Sequence, residues 1–519
     1  MNLLKATGTI GGLTLVSRVA GFLREMLMSR IMGASAAADA FFVAFRLPNT
    51  FRRLFGEGAF SAGFVPLFSQ RLHGEGGKEA ARQFSEEVLA VFLPTLVLFT
   101  LVFEIIMPGF VALISGYSGA KLELATWLTR ITFPYLVLIS LVSLFAGILN
   151  SLAKFSAAAF APALLNVAML VALLLVRDGG AITATALSIA VTVGGFIQIA
   201  LLWWAAKRAG VSLKLRRPKM TPAVRQFVRV VIPATLGAGV YQISAFIDTF
   251  FLTRIGEGAM SYFNYADRLN QLPLGVIGAA LGTAILPQVS RFVGANDATG
   301  AARVQSEAAE LATLLCLPAA IALAVSAGPL VSALFEGGRF SAADASATAV
   351  TLSIIVMGLP AYVLVKVLTP GFYARQDTAT PVKTAGVVLA ANILLNFLLI
   401  PQFGIAGLAA AIALCSWLNC VILYVILHRR GHFRIEGWLA SRIARQLAAG
   451  VMMAAALWAI RHFMGGWFSG SFGHRLVGVV ALVGGGMAVY FPLVYLFGGL
   501  DKLALKKLLR RKKPVADAG

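Results

Sequence analysis

Charge is what this 519-residue sequence has least of. Only 13% of its residues are charged, against about 25% in a soluble globular protein, which excludes an ordinary water-soluble domain. Acidic residues are the scarcer sign, 22 Asp and Glu against 44 Lys and Arg, for a net charge of +22. Cysteine is nearly absent: Cys316, Cys415 and Cys420 all lie inside apolar runs, which excludes a disulfide framework. The five histidines are scattered, and no metal centre is expected. The clearest long loop, about residues 207–223, contains no Asp or Glu and so offers no general acid, base or metal ligand outside the membrane. That argues against a polyprenyl-linked glycan ligase or glycosyltransferase.

What is present is apolar sequence, 59% of the chain with a mean hydropathy of +0.84. Runs of about 20 apolar residues suit helices that cross a bilayer. They predict an all-α polytopic membrane protein with fourteen transmembrane helices, at 5–32, 37–69, 84–113, 123–151, 158–176, 182–206, 224–253, 258–291, 302–335, 343–372, 380–400, 405–428, 438–463 and 475–498. The second is interrupted by Pro48, Gly56 and Gly58, the eighth by Pro273. The N-terminal run passes through arginines without a clear cleavage site, so it reads as a retained first span rather than a signal peptide.

Basic residues orient the chain. Loops after even-numbered spans, counted with the span ends that flank them and with the C-terminal tail, hold 28 Lys and Arg, and loops after odd-numbered spans, counted likewise, hold six. Both termini are therefore expected in the cytoplasm, and the net charge needs no nucleic-acid partner. The chain also repeats itself faintly. "RLPNTFRRLFGEGAFSAGFVPLFSQR" resembles "RLNQLPLGVIGAALGTAILPQVSR", and "ALSIAVTVGGFIQIALLWWAAKRAG" resembles "LAAAIALCSWLNCVILYVILHRRG", ending at Arg208 and Arg430. Two pseudo-symmetric six-helix lobes follow, related by an axis along the membrane normal. The expected organisation is an N-lobe at 1–210, a basic linker at 211–222, a C-lobe at 223–431, helices 13 and 14 at 432–500, and a basic tail at 501–519.

Beyond the loops and those flanking ends, nine cationic residues remain inside the spans: Arg18, Arg24, Arg30, Arg46, Arg52, Arg53, Arg130, Arg268 and Lys366. An arginine near the middle of a lone span costs about 2.5–3.5 kcal/mol on insertion scales. On one helix, residues 18, 24 and 30 point at about 0°, 240° and 120°, so they cannot share a cavity. Arg30, close to Gly33, is expected to snorkel. Arg18 and Arg24 lie deeper and need a wet cavity, an acidic partner or an anionic ligand. Acidic partners within the spans are few, mainly Glu25, Asp39, Glu57, Glu104, Asp248 and Asp267. A surplus of arginine suits an anion, and the guanidinium fork favours phosphate.

Four stretches carry a family resemblance: "MNLLKATGTIGGLTLVSRVAGFLREMLMSRIMG", "DAFFVAFRLPNTFRRLFGEGAFSAGFVPLF", "YADRLNQLPLGVIGAALGTAILP" and "VLTPGFYARQDTATPVK". They closely resemble the MurJ (MviN) family of lipid II flippases, within the superfamily of multidrug, oligosaccharide-lipid and polysaccharide exporters. The likeness covers essentially the whole chain. It implies an inner-membrane protein whose lobes flank a cationic cavity and which moves undecaprenyl-diphosphate-linked disaccharide-pentapeptide to the periplasmic leaflet by alternating access. It also implies a groove for the polyprenyl tail on helices 13 and 14. Carried over by motif, the substrate-binding residues are Arg18, Arg24, Asp39, Arg52 and Arg268, with Arg53 and Glu57 in the same motif as Arg52. Implied partners are lipid II, membrane lipids, and cell-wall synthesis and division proteins.

A second constellation is Asp248 with Asn392 and Asn396. The asparagines are spaced i, i+4 on one helical face. A carboxylate with amide oxygens suits Na⁺ or a proton, as the resemblance implies for some relatives; interhelical hydrogen bonding is the equally weighted alternative. No cofactor is expected, and coupling to a monovalent cation, to protons or to the membrane potential are the three energy sources left. Within transport, the competing functions are export of another polyprenyl-diphosphate-linked glycan or of drugs.

Overall fold

The computed structural model describes residues 3–52, 59–468 and 470–500. Helices dominate, and the one β-bridge among these residues joins Gly337 to Phe340. The first half comprises α1 (Leu3–Met32), α2 (Ala36–Arg52), α3 (Ala59–Leu72), α4 (Gly77–Ser115), α5 (Gly119–Thr132), α6 (Tyr135–Ser151), α7 (Phe155–Leu175), α8 (Ala181–Arg208) and α9 (Pro222–Ile255). The second comprises α10 (Ala259–Gly294), α11 (Ala298–Val325), α12 (Ala327–Leu334), α13 (Ala342–Ile355), α14 (Leu359–Tyr373), α15 (Ala379–Phe403), α16 (Ile405–Arg429), α17 (Gly437–Phe463), α18 (Gly465–Phe468) and α19 (Phe472–Phe497).

Each of the fourteen expected spans corresponds to one of these helices or to adjacent segments, such as α5 with α6 or α13 with α14. Ten stretches of the described residues are long and apolar enough to cross a membrane by length and composition. Their outward faces carry large apolar side chains, among them Leu98, Ile105, Leu175 and Leu496. Water would penalise that surface, and hydrocarbon does not.

The expected interruptions at Pro48 and Pro273 do not break their helices: α2 runs on to Arg52, and α10, 36 residues in all, runs on to Gly294. Proline removes an N–H, so Pro48 leaves the carbonyl of Ala44 without its helical donor. Thr132 at the end of α5 supplies the missing bond, its Oγ1 donating to the Ala44 oxygen at 3.0 Å. A neighbouring hydroxyl thus satisfies the carbonyl that proline leaves without a helical donor. Gly56 lies outside the described residues, as does Gly58.

The chain divides into two compact units, Met1–Ser261 with Gly337–Asp344, and Tyr262–Glu336 with Ala345–Gly519. This packing boundary falls after α9, whereas the repeat places its lobe boundary before it. The reason is aromatic: Phe227 of α9 packs edge-on against Phe60 of α3 and Phe84 of α4. Small residues elsewhere let helices approach closely, the usual device where lipid supplies no hydrophobic driving force. A Cβ at Gly194 of α8 would lie 2.9 Å from Leu165 of α7, and one at Gly195 2.8 Å from the Tyr135 ring of α6. In the second unit, Met453 and Leu457 of α17 pack with Leu482, Tyr490 and Val494 of α19 around Leu314 of α11.

One polar device appears in each unit. Glu86 on α4 is fully buried and accepts from Arg216 Nε at 2.6 Å and from the Lys214 amide at 3.1 Å. Glu310 on α11 accepts both bonds from Arg442 Nη1, at 2.7 and 2.9 Å. Both glutamates stand eight residues before a proline, Pro94 or Pro318. Each anchors a later segment, residues 214–216 in one case and α17 in the other.

Candidate functional site: the charges of the first helices

The three arginines of α1 occupy three different environments, as their angular spacing requires. Arg18 is exposed, Arg24 is buried and Arg30 is half-buried. Arg24 reaches into the packing of α1 against α7. Its Nη1 donates to Asn166 Oδ1 at 2.9 Å and approaches Met169 Sδ at 3.5 Å. Its Nη2 donates to the carboxylate of the adjacent Glu25, and the guanidinium lies 5.6 Å from the centre of the Phe45 ring. Asn166 in turn donates from Nδ2 to the Ser17 carbonyl at 3.0 Å, fastening α7 to α1. Of the solutions open to a deep arginine, Arg24 thus takes an acidic partner. The pairing is incomplete, because Arg24 Nε and Glu25 Oε2 are buried without a hydrogen-bond partner.

Asp39, near the start of α2, is wholly buried. Its carboxylate accepts from Lys121 Nζ at 3.1 Å, from the Gly258 amide at 2.8 Å, and from the amide and hydroxyl of Ser261 at 3.1 and 2.7 Å. Two of these donors are free backbone N–H groups at the start of α10, so Asp39 caps that helix from 220 residues away. In this structure protein donors occupy the Asp39 carboxylate.

Other loops gather at the same end of the first unit. The Arg339 amide donates to the Arg30 carbonyl at 2.8 Å, and the Ala36 amide to Glu257 at 2.9 Å. Gly33, with φ +64°, lies against the backbone of Arg339; a Cβ there would sit 2.5 Å from its carbonyl oxygen. These contacts join the connections after expected spans 1, 7 and 9, all odd-numbered, as an alternating topology requires.

The remaining residues are distributed as follows. Arg52 ends α2, half-buried, in the first unit, while Arg268 is half-buried on α10 in the second. Arg53 and Glu57 lie outside the described residues. Arg130 meets Glu104 at 4.0 Å and donates to its carbonyl at 3.3 Å, an ion pair that accounts for one in-span cation. Asp248 belongs to the first unit and Asn392 and Asn396 to the second. The two asparagines are buried and bonded to each other, Asn396 Nδ2 to Asn392 Oδ1 at 3.0 Å, and Asn396 Oδ1 has no partner.

Sequence reasoning missed Asn166 and Lys121. A signal for the first existed: Asn166 is an amide in the strongly apolar run "APALLNVAMLVALLL", where a polar side chain is retained at a cost. Lys121 offered none, since its partner is 82 residues away.

Helices long and apolar enough to cross a membrane, packed with others that bury Arg24, Glu25 and Asp39, define a polytopic membrane protein. The family model for "Lipid II flippase MurJ" matches residues 28–478, and the chain belongs to that family. It is 40% identical to the "Probable lipid II flippase MurJ" of Rhizobium tropici, covering 99% of this chain and 98% of that protein. Against the "Lipid II flippase MurJ" of Burkholderia cenocepacia it is 38% identical, over 88% and 90%. Among solved structures, "Lipid II flippase MurJ, inward closed conformation" superposes with a TM-score of 0.76 at 23% identity, covering 96% and 99%. An inward-facing MATE-family multidrug resistance transporter of the MOP superfamily gives 0.64 at 18% identity, covering 80% and 94%. These two likenesses bear on the fold.

Proposed function

We propose that this protein moves lipid II, the undecaprenyl-diphosphate-linked peptidoglycan precursor, from the cytoplasmic to the periplasmic leaflet of the inner membrane by alternating access. Family membership over nearly the full length supports the cargo, and the observation that carries the chemistry is an arginine held deep in α1 with part of its guanidinium unused. Arg18, Arg24, Arg52 and Arg268, with Arg53, engage the diphosphate. A guanidinium offers the paired donors that a phosphate accepts, which a lysine does not. Both termini lie in the cytoplasm, so the loop cluster around Asp39 is the periplasmic end. Its contacts must open for cargo to leave. The N- and C-lobes rock about the cargo, and α17 with α19 guides the polyprenyl tail. Asp248, Asn392 and Asn396 bind the coupling cation.

Single alanine variants of Arg18, Arg24, Arg52 and Arg268 in a depletion strain test this reading. Each is expected to reach the membrane at normal abundance yet fail to sustain wall synthesis, with lysine rescuing only in part. Four variants that insert and sustain growth normally would overturn it.

A further inference from the structure

Glu25 follows Arg24 directly in α1, and neighbours in a helix diverge by about 100°. Their side chains nevertheless meet, both residues being at most 7% exposed. The guanidinium has two working edges. Nη1 is held by Asn166 and Met169. Nε and Nη2 form the other edge, the parallel pair of N–H groups that donates to two oxygens side by side. Glu25 uses half of this edge: its Oε1 takes Nη2, while Nε and Oε2 are left buried and unsatisfied. Buried polar groups are normally paired, and an ion pair kept for stability alone needs its remaining lone pairs and protons satisfied. Here both ions are under-satisfied along the edge a phosphate would take.

We propose that Glu25 is the internal counter-ion of Arg24: its carboxylate neutralises the guanidinium while the carrier is empty, and a phosphate group of the cargo displaces it, bonding Nε and Nη2 together. Asn166 holds the far edge, so the guanidinium keeps its orientation through the exchange. The empty carrier then never bears an uncompensated buried arginine, and release of cargo is assisted by the returning carboxylate. This rests on the diphosphate reading of the cargo given above.

The test is binding of a water-soluble short-chain prenyl diphosphate to the full-length protein in nanodiscs. Glu25→Gln keeps the shape and removes the competing charge, so it should bind the probe about tenfold more tightly than the parent, the scale of one charge-assisted hydrogen bond. Glu25→Asp should bind like the parent, and Arg24→Ala should abolish the gain in the double variant. On the parent itself, the ¹⁵N resonance of Arg24 Nε, identified by its loss in Arg24→Lys, should shift and gain exchange protection when the probe binds. That measurement stands even where Glu25→Gln fails to fold. A parent that binds the probe with no tightening in Glu25→Gln and no change at Nε would overturn the counter-ion and leave the cargo reading intact. Parent and Glu25→Gln both failing to bind would overturn the two together.

Discussion

Replacing Asp39 separates a helix cap from an ion pair, because both meet in one buried carboxylate. Four donors converge on it: Lys121 Nζ, the amides of Gly258 and Ser261, and the Ser261 hydroxyl. Asparagine brings a single acceptor oxygen and presents an NH₂ group to donors, so at least half of these bonds are lost. Hydrogen bonds to a charged group contribute about 1.5–3 kcal/mol each, and an abandoned buried donor costs about 1–3. Lys121 is 22% exposed at its side chain, so water screens its share down to less than about 1 kcal/mol. Asp39→Asn should therefore destabilise by about 2–3 kcal/mol and Asp39→Ala by about 3–5, while Lys121→Met costs less than about 1. Denaturant unfolding of the purified protein, followed by helical circular dichroism, measures all three. A Lys121→Met variant as damaging as Asp39→Asn would show that the ion pair, and not the cap on α10, carries the energy. An Asp39→Asn change within about 0.5 kcal/mol of the parent would refute the reasoning altogether, since that is the scale of an ordinary surface substitution.

Three further outcomes follow from the packing. Thr132→Val should cost about 1–3 kcal/mol by orphaning the Ala44 carbonyl, and Pro48→Ala in the same background should restore most of it by returning the missing N–H; no rescue in thermal unfolding would sink this account of the unbroken α2. Glu310→Gln should loosen α17 from α11, read as faster amide exchange in the first two turns of α17, and unchanged exchange there would assign the anchoring to apolar packing alone. Outside the membrane, hydrogen bonds from Thr380 and Arg430 hold the Asp377 carboxyl well below the usual carboxylate range. Its stabilising contribution is therefore whole above the unfolded value of about 3.9 and is lost as pH falls through the folded one. The stability gap between parent and Asp377→Asn should be constant from pH 7 to about 4 and shrink below that; a gap that grows on acidification would contradict the assignment.

The helices were legible because their signal is local, a run of apolar residues as long as the bilayer is thick. Pro48 shows where that logic stops. The carbonyl that Pro48 frees is satisfied by a threonine hydroxyl 88 residues away, which no local pattern carries. The arginines behaved likewise. Their angular spacing on α1 was readable, and Glu25 was among the few acids available to them, but which guanidinium edge it takes is fixed by Asn166 from α7. Asp39 was singled out from its motif as a cargo contact; its part in capping α10 arises from proximity across some 220 residues. The lobe boundary drawn from the repeat and the packing boundary after α9 differ because one reflects sequence likeness and the other the aromatic contacts of Phe227.

The central claim, that this protein carries lipid II across the membrane, is tested most directly by measuring lipid II in each leaflet of cells depleted of it. The account predicts that lipid II is still made but accumulates in the cytoplasmic leaflet, and that the parent gene restores its arrival at the periplasmic leaflet while Arg24→Ala does not. Lipid II reaching the periplasmic leaflet at its normal rate in depleted cells would contradict it.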